Sequence, residues 1–406
     1  MSVRAEAAAG VTGQRISGAR AAGIAGIALG VVAALIALPP FELRQIWWPA
    51  AVGMLGLFAA VWATTRGERR LGLLAVAANL FGMTLGMFAT QSSVEHLNLV
   101  VVWSTLIAAT LRYATPLTFA AIGGMFSERS GVVNIGLEGQ MLMGAFFAVW
   151  GADVTDSWQL GLVIGMLAGM ALALLHAYFC VTLRADQIVI GTAVNFLALG
   201  LTGYLYVDIY GDQGTPTTIP EIPDVNIPWL QDQGFFGEAI GSLNFMIWLS
   251  FAVLIVSYFV MFRTPIGLRI RSVGEHPRAA ETVGISVYGV RYACVMTSGA
   301  LAALGGAYLS LGLIHLFDQN VTGGRGFIAL AALIFGNWRP FGAFAAALLF
   351  GFSSALADRL PEYFEQGSSA PLLFNALPYV LTIIAVAGVV GRSTPPAAVG
   401  RPYVKQ

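Results

Sequence analysis

The stretch TPLTFAAIGGMFSERSGVVNIGLEGQMLMGAF, residues 115–146, decides the fold. It begins and ends as sequence apolar enough for a bilayer core. Between those ends Glu128, Arg129, Asn134 and Glu138 fall within eleven residues, with Gly123, Gly124, Gly131, Gly136 and Gly139 spread among them. A charged group at the bilayer centre costs about 2.5–3.5 kcal/mol on insertion scales, so such groups face a partner or a watered cavity. Glycine breaks are tolerated at that depth where protein or a cavity re-satisfies the backbone. A broken helix with polar groups at the break is the usual pointer to a transport pathway. The plainer alternative makes SERSG a short cytoplasmic loop between two ordinary spans, which is compatible with transport as well.

Working outward, the 406 residues are 57% hydrophobic and 10% charged, against about 45–50% and about 25% in ordinary soluble domains. Apolar runs of about twenty residues recur from end to end, each enough for a hydrocarbon core of about 30 Å. The expected fold is an all-α polytopic membrane protein with about 12 transmembrane helices (about 10–12). A net charge of zero without a basic run argues against nucleic acid as a partner. Cys180 and Cys294 lie in apolar segments and read as small buried hydrophobes. His96, His176, His276 and His315 are far apart and form no metal-binding spacing, so no cofactor or metal is expected on this chain. The sole lysine is Lys405. A phosphate-binding P-loop needs a lysine after its glycines, so this chain cannot itself be an ATPase.

In chain order, residues 1–20 read as a cytoplasmic N-terminal tail. Three spans follow within 21–96: 21–38, taken as retained rather than as a signal peptide, then 46–64 and 71–90, with Asn79 as their one polar feature. The core, 97–391, opens with a span from about Leu97 to Phe126 that can bend at Pro116. Further spans are 132–151, 160–182 and 188–207. The longest loop, 208–242, has neither lysine nor arginine. Spans at 243–262, 292–313, 325–337, 342–357 and 372–391 complete the core, the 325–337 span being short enough to be re-entrant. Residues 392–406 read as a cytoplasmic C-terminal tail. With the N-terminus inside, seventeen of the twenty-one basic residues fall on the inner side and Arg112 falls inside a span. That is the positive-inside bias expected of twelve spans with both termini cytoplasmic. GLEGQMLMGAF at 136–146 and GNWRPFGAF at 336–344 echo one another, and internal repeats recur in transporters.

The most basic loop, 263–291, has a second constellation. Pro277 suits the first position of a helix and Gly284 a left-handed stop. The intervening seven or so residues make about two turns, roughly 10 Å. Ala279, Ala280 and Val283 are expected on one small face. Such a helix suits docking into a cleft on another protein, or lies passively at the interface.

The segments ATPLTFAAIGGMFSERSGVVNIGLEGQMLMGAFFA, RSVGEHPRAAETVGISVYGVRYA and TGGRGFIALAALIFGNWRPFGAF resemble the permease subunits of bacterial ABC importers for nucleosides and simple sugars, within the wider ribose and branched-chain amino acid permease group. The resemblance covers about 100–391, and GVVNIGLEG is most similar to the nucleoside branch. It implies a permease in the bacterial cell membrane, paired with a second homologous permease. Two ATPase subunits would hold ATP and magnesium below, and an extracytoplasmic substrate-binding protein would deliver cargo. It also implies that 274–285 is the coupling helix, carried by Gly274, Glu275, Pro277, Arg278, Ala279, Ala280, Val283 and Gly284. Asn134, Glu138 and Gln140 carry over to a broken segment near the path. The three leading spans depart from the family core.

Residues lining the path are then expected from 115–146, 188–203 and 323–339. Hydrogen-bonding side chains suit neutral hydroxylated cargo, which selects Asn134, Glu138, Gln140, Asn195 and Asn337. Phe126 and Phe327 could stack on it. Each aromatic also reads as ordinary packing, and Asn195 and Asn337 also read as an interhelical hydrogen bond or a cap. Glu128 and Arg129 are expected as a mutual or interfacial ion pair near the cytoplasmic boundary. An ion-coupled secondary transporter is the alternative, with Glu138 its main candidate carboxylate. A membrane-embedded enzyme would need a convergent set such as Asp153, Asp156, Asp208 and Asp212, which instead sit in loops of turn composition.

Overall fold

Lipid offers no hydrogen bonds, so an apolar run buried in it must pair its own backbone, and a helix does this within one segment. The long apolar runs fold accordingly. The computed structural model describes residues 18–36, 43, 45–91, 103–211, 214–216, 218–232, 235–359 and 393–405. The expected span 372–391 and the tail before Gly18 lie outside them.

The chain divides into two compact units. The first holds α1 (Gly18–Leu35), α2 (Trp47–Thr65) and α3 (Arg69–Gln91). On α1, Gly23, Gly26, Gly30 and Ala33 are buried at helical spacing. Small residues there let backbones approach, which is how helices associate when lipid removes the hydrophobic drive. Asn79 on α3 is fully buried and donates to Gly26 O and Ala75 O, both at 2.7 Å.

The second unit begins with α4 (Trp103–Arg129), α5 (Leu137–Thr155) and α6 (Trp158–Ala177), the last extended by a π turn, Tyr178–Thr182. α7 is Gln187–Tyr210. The long loop after it is structured by β1 (Asp224–Asn226), α8 (Pro228–Gln231), α9 (Phe235–Ile240) and β2 (Ser242–Asn244), the two strands pairing antiparallel with Val225 opposite Leu243. α10 (Phe245–Arg263) leads to α11 (Pro265–Glu275) and α12 (Pro277–Thr282). α13 (Val287–Ala307) continues as a π turn, Tyr308–Ile314. α14 (Arg325–Phe335) and α15 (Pro340–Arg359) follow. Outside the short ribbon the expectation of an all-α polytopic membrane protein holds. Among the described residues eight helices are long and apolar enough to cross a membrane.

Two crossings are not continuous helices. α14 has 11 residues, about 16 Å, half of a hydrocarbon core. The helix at 325–337 is as short as its sequence suggests, and it is reached through the non-helical residues 315–324. Likewise α5 starts only at Leu137, after the non-helical stretch 130–136. Glycines set how tightly α13 packs between these elements. A Cβ added at Gly306 would lie 1.8 Å from Met141 O, and one at Gly144 would lie 2.2 Å from Ala303 O, whereas Gly200 on α7 has open space. We therefore expect Gly306→Ala to lower the thermal stability of the purified protein by roughly 1–3 kcal/mol through overpacking, with Gly200→Ala unchanged. Equal melting of the two variants would refute this packing account.

Candidate functional site: two broken crossings tied at their helix starts

Residues 130–136 have no helix to pair their backbone, so side chains from three neighbouring helices do it. Ser127 Oγ donates to Val132 O at 2.7 Å, and Ser127 O accepts from Val132 N at 3.2 Å. Val133 N donates to Gln187 Oε1 at 2.7 Å, and Val133 O accepts from His176 Nε2 at 3.2 Å. Asn195 clamps both sides of the α5 start: its Nδ2 donates to Ile135 O at 3.0 Å, and its Oδ1 accepts from Gly139 N at 2.8 Å. Gln187 opens α7 and Asn195 lies eight residues further on, about two turns along the same helix, so one helix serves both.

Asn134 and Gln140 form a reciprocal amide pair. Asn134 Nδ2 donates to Gln140 Oε1 at 2.9 Å, and Gln140 Nε2 donates to Asn134 Oδ1 at 3.2 Å. Asn134 Nδ2 also donates to Ser298 Oγ on α13 at 2.9 Å. Both amides are fully buried. Glu138, on the first turn of α5, reaches across to α14. Its Oε1 accepts from Gly324 N at 2.7 Å and its Oε2 from Gly326 N at 2.6 Å. Those donors are the orphan amides at the α14 start, where Gly324 is left-handed at φ +85° and no side chain of its own loop caps the helix. A carboxylate at a helix N-terminus is favoured by both hydrogen bonding and the helix dipole. Two helices from distant parts of the chain, the 19-residue α5 and the 11-residue α14, are thus joined start to start. His176 Nδ1, Gln187 Nε2 and Thr322 Oγ1, all beside these breaks, are buried without partners.

The structure therefore brings Asn134, Glu138, Gln140 and Asn195 together and leaves three other expected residues apart. Phe126 is buried among Leu117, Leu254 and Leu333 in the apolar core. Phe327 is exposed on α14. Asn337 sits left-handed, φ +53°, in the turn before α15, where its Oδ1 accepts from Thr394 N at 3.1 Å. The expected Glu128–Arg129 pair is replaced by two separate attachments to that same turn. Glu128, only 4% exposed, accepts from Trp338 Nε1 at 2.5 Å, and Arg129 Nε donates to Trp338 O at 3.0 Å.

The basic loop contains two helices where the sequence reading expects one. α11 starts at Pro265 with Thr264 Oγ1 accepting from Gly267 N at 3.3 Å, a Thr-Pro start signal that reads directly from sequence. Pro277 opens α12, and Gly284 stops it at φ +82°. The single face expected for Ala279, Ala280 and Val283 is corrected. Neighbouring helical residues point about 100° apart, so Ala280 turns inward against Val273, Val287 and Tyr403 while Ala279 and Val283 remain exposed. Gly274 is buried, and a Cβ there would lie 2.1 Å from Arg129 O, which fixes α11 against the end of α4.

Residues 393–405, expected as a plain tail, strap this region. Ala398 N donates to Gly274 O at 2.9 Å, Ala397 N to Glu275 Oε2 at 3.2 Å, and Arg291 Nη1 to Arg401 O at 3.2 Å. Tyr403 donates its hydroxyl to Glu281. With Thr394 held by Asn337, the strap links α12 to the α14–α15 turn.

A multi-pass helical protein with paired interrupted crossings and a short capped helix on its basic side has the make-up of a transport permease. The family model described as branched-chain amino acid transport system / permease component matches residues 106–386, and the chain belongs to that family. The guanosine ABC transporter permease protein NupQ of Bacillus subtilis is 44% identical over 310 residues, covering 74% of this chain and 96% of the relative. The nucleoside ABC transporter permease protein NupC of Lactococcus lactis is 40% identical over 311 residues, with the same coverage of 74% and 96%. The putative glucose ABC transporter permease protein TsgC13 of Haloferax volcanii is 36% identical over 69% of this chain and 85% of its own length. A second permease from each of the two bacteria, NupP and NupB, also matches, both at 24% identity. No solved structure gives a significant match. The chain is a membrane-spanning permease subunit of an ABC importer.

The ties at the helix starts are testable. Asn195→Ala orphans Gly139 N and Ile135 O and is expected to cost roughly 1–3 kcal/mol. Glu138→Leu orphans two amides and is expected to cost at least as much, while Glu138→Gln keeps an acceptor but loses the anion at the helix start, about 1 kcal/mol. Thermal unfolding in detergent reads the order. Wild-type melting of both Asn195→Ala and Glu138→Leu would refute the ties.

Proposed function

We propose that this chain forms one half of the translocation path of a nucleoside importer in a bacterial cell membrane. The observation that carries the reading is the junction at Glu138, where the half-length α14 and the longer α5 meet at their starts inside the bundle. Paired broken helices of this kind build substrate paths at the bilayer midplane. The nucleoside is favoured over a simple sugar because NupQ and NupC, named for guanosine and nucleosides, align at higher identity than TsgC13, named for glucose.

In this reading the chain makes twelve crossings with both termini cytoplasmic, two of them entered through non-helical residues. It pairs with a second homologous permease, as the matched pairs in two bacteria support. Two ATPase subunits dock at 274–285 and hold ATP and magnesium, and an extracytoplasmic binding protein delivers the cargo. Phe126, Asn134, Glu138, Gln140, Asn195, Phe327 and Asn337 stand as the path-side candidates, with the first four polar residues of the junction, Asn134, Glu138, Gln140 and Asn195, carrying most weight.

The connections supply a mechanism. α12 leads directly into α13, and Ser298 on α13 holds Asn134. The strap carries motion from α12 to Asn337 at the end of α14, whose start rests on Glu138. A displacement of α12 by closing ATPases therefore reaches both sides of the junction. Rigid helices that share one hydrogen-bonded joint can rock between two packings, the usual form of alternating access.

Uptake of labelled guanosine by cells holding the complete importer tests the assignment: unlabelled nucleosides are expected to compete and glucose or ribose are not. Competition by sugars alone would move the cargo class. Uptake abolished by a proton ionophore while ATP is maintained would restore the ion-coupled alternative. Val283→Asp, on the exposed face of α12, is expected to cut uptake at least tenfold with normal protein levels. Ala280→Asp, facing inward, is expected to reduce the level of folded protein instead. Full uptake by Val283→Asp would remove α12 from the ATPase contact.

A further inference from the structure

The junction at Glu138 leaves one polar cavity unused. About 420 Å³ in volume, it lies between α4, the segment 221–224 that leads into β1, the start of α10 and the π turn Tyr308–Ile314. Arg112, which lines it, is seventeen residues before Arg129 on α4, about 25 Å along the axis. The cavity is therefore at the end of the bundle remote from α12.

Three observations point to a ligand. Tyr308 is fully buried, lines the cavity, and has a hydroxyl without a hydrogen-bond partner. A buried hydroxyl left unpaired is costly, so it asks for an explanation. Arg112 is the one basic residue that the sequence puts inside a span, and it makes no hydrogen bond or ion pair among the described residues. An ionisable group inside a span marks a functional position by default. Tyr308 and Gly312, both on the cavity wall, belong to a π turn, a backbone form that recurs at functional sites. Facing them are the carboxylates of Asp224 and Glu221, the latter held by His315 Nδ1 at 3.3 Å.

We propose that this cavity is a transit site for a 6-oxopurine nucleoside, with the base on Arg112 and Tyr308 and the ribose hydroxyls on Asp224 and Glu221. The lining selects that chemistry. A guanidinium fork matches the adjacent O6 and N7 acceptors of such a base. Carboxylates accept from ribose hydroxyls. The volume falls in the ordinary range of small-molecule sites, about 300–1,000 Å³. A neutral solute with acceptors at one end and a diol at the other fits walls that are basic on one side and acidic on the other. The proposal rests on the nucleoside reading above and adds a second site to it.

The test uses the complete importer, labelled guanosine and 7-deazaguanosine, which lacks N7. Binding of each nucleoside to the isolated delivery protein is measured separately and divided out. Tyr308→Phe removes only the unpartnered hydroxyl, so stability is expected to be unchanged or higher while KM for guanosine rises about tenfold at an unchanged maximal rate. Arg112→Gln is expected to raise KM at least as much and to flatten the preference for guanosine over 7-deazaguanosine. Wild-type KM and preference in both variants would sink the cavity while leaving the importer reading intact. A fall in maximal rate for every cargo, with weakened association of the delivery protein, would make this a protein-docking surface and overturn the proposal. A wild-type importer that takes up glucose and no nucleoside would defeat the cargo assignment and the cavity proposal together.

Discussion

Residues 130–136 are mostly buried within the protein, away from water, and have no helix to pair their backbone. That constraint organises the core. Each exposed amide or carbonyl of the break must meet a partner or lose the free energy of an unmade hydrogen bond, about 1–3 kcal/mol apiece. His176, Gln187, Asn195 and Ser127 supply those partners from fixed positions on α4, α6 and α7. The polar residues of the core are there first because the break needs them. Their arrangement then leaves His176 Nδ1 and Gln187 Nε2 unpaired beside the break, so the segment retains hydrogen-bonding capacity that its own backbone does not use.

The same constraint joins the two broken crossings. The α14 start would expose amides with nothing nearby in sequence to cap them. The cap comes from Glu138, 186 and 188 residues away from its two donors. One carboxylate thereby fixes the relative position of α5 and α14 more tightly than apolar packing alone, because it demands two directional bonds at once. Small residues allow the close approach that this needs: a Cβ at Gly326 would fall 2.5 Å from the Glu138 backbone.

Much of this is legible in the sequence, and what is not has physical causes. Composition and positive-inside bias give the polytopic all-α fold, because hydrophobic length is a local property. The anomaly of Asn134 to Gln140 is visible for the same reason: polar residues in apolar surroundings need no partner to be noticed. The partners are another matter. Nothing near Gly324 announces that Glu138 caps it, and α14 reads as a span because its 11 helical residues adjoin further apolar ones. Ala280 and Val283 look alike as letters, and only the packing of Tyr403 shows which of them points inward. The strap at 393–405 has the composition of a tail, and its role rests on backbone amides that composition does not reveal. Phe126, Phe327 and Asn337 were selected by residue type, which does not say where on a helix or turn a side chain is directed.

The commitment of Glu138 also bears on where energy enters. A proton-driven carrier needs a carboxylate that gains and loses its proton during the cycle. Here both oxygens accept backbone N–H bonds. Both are thereby committed to holding the α14 start, so the joint is suited to being moved as a unit. Motion is available from the other end: α12 connects through residues 283–286 to α13 on one side and, through the strap and Asn337, to α14 on the other. A push delivered there changes the packing around an intact Glu138, which fits a permease whose work is done by separate ATPase subunits.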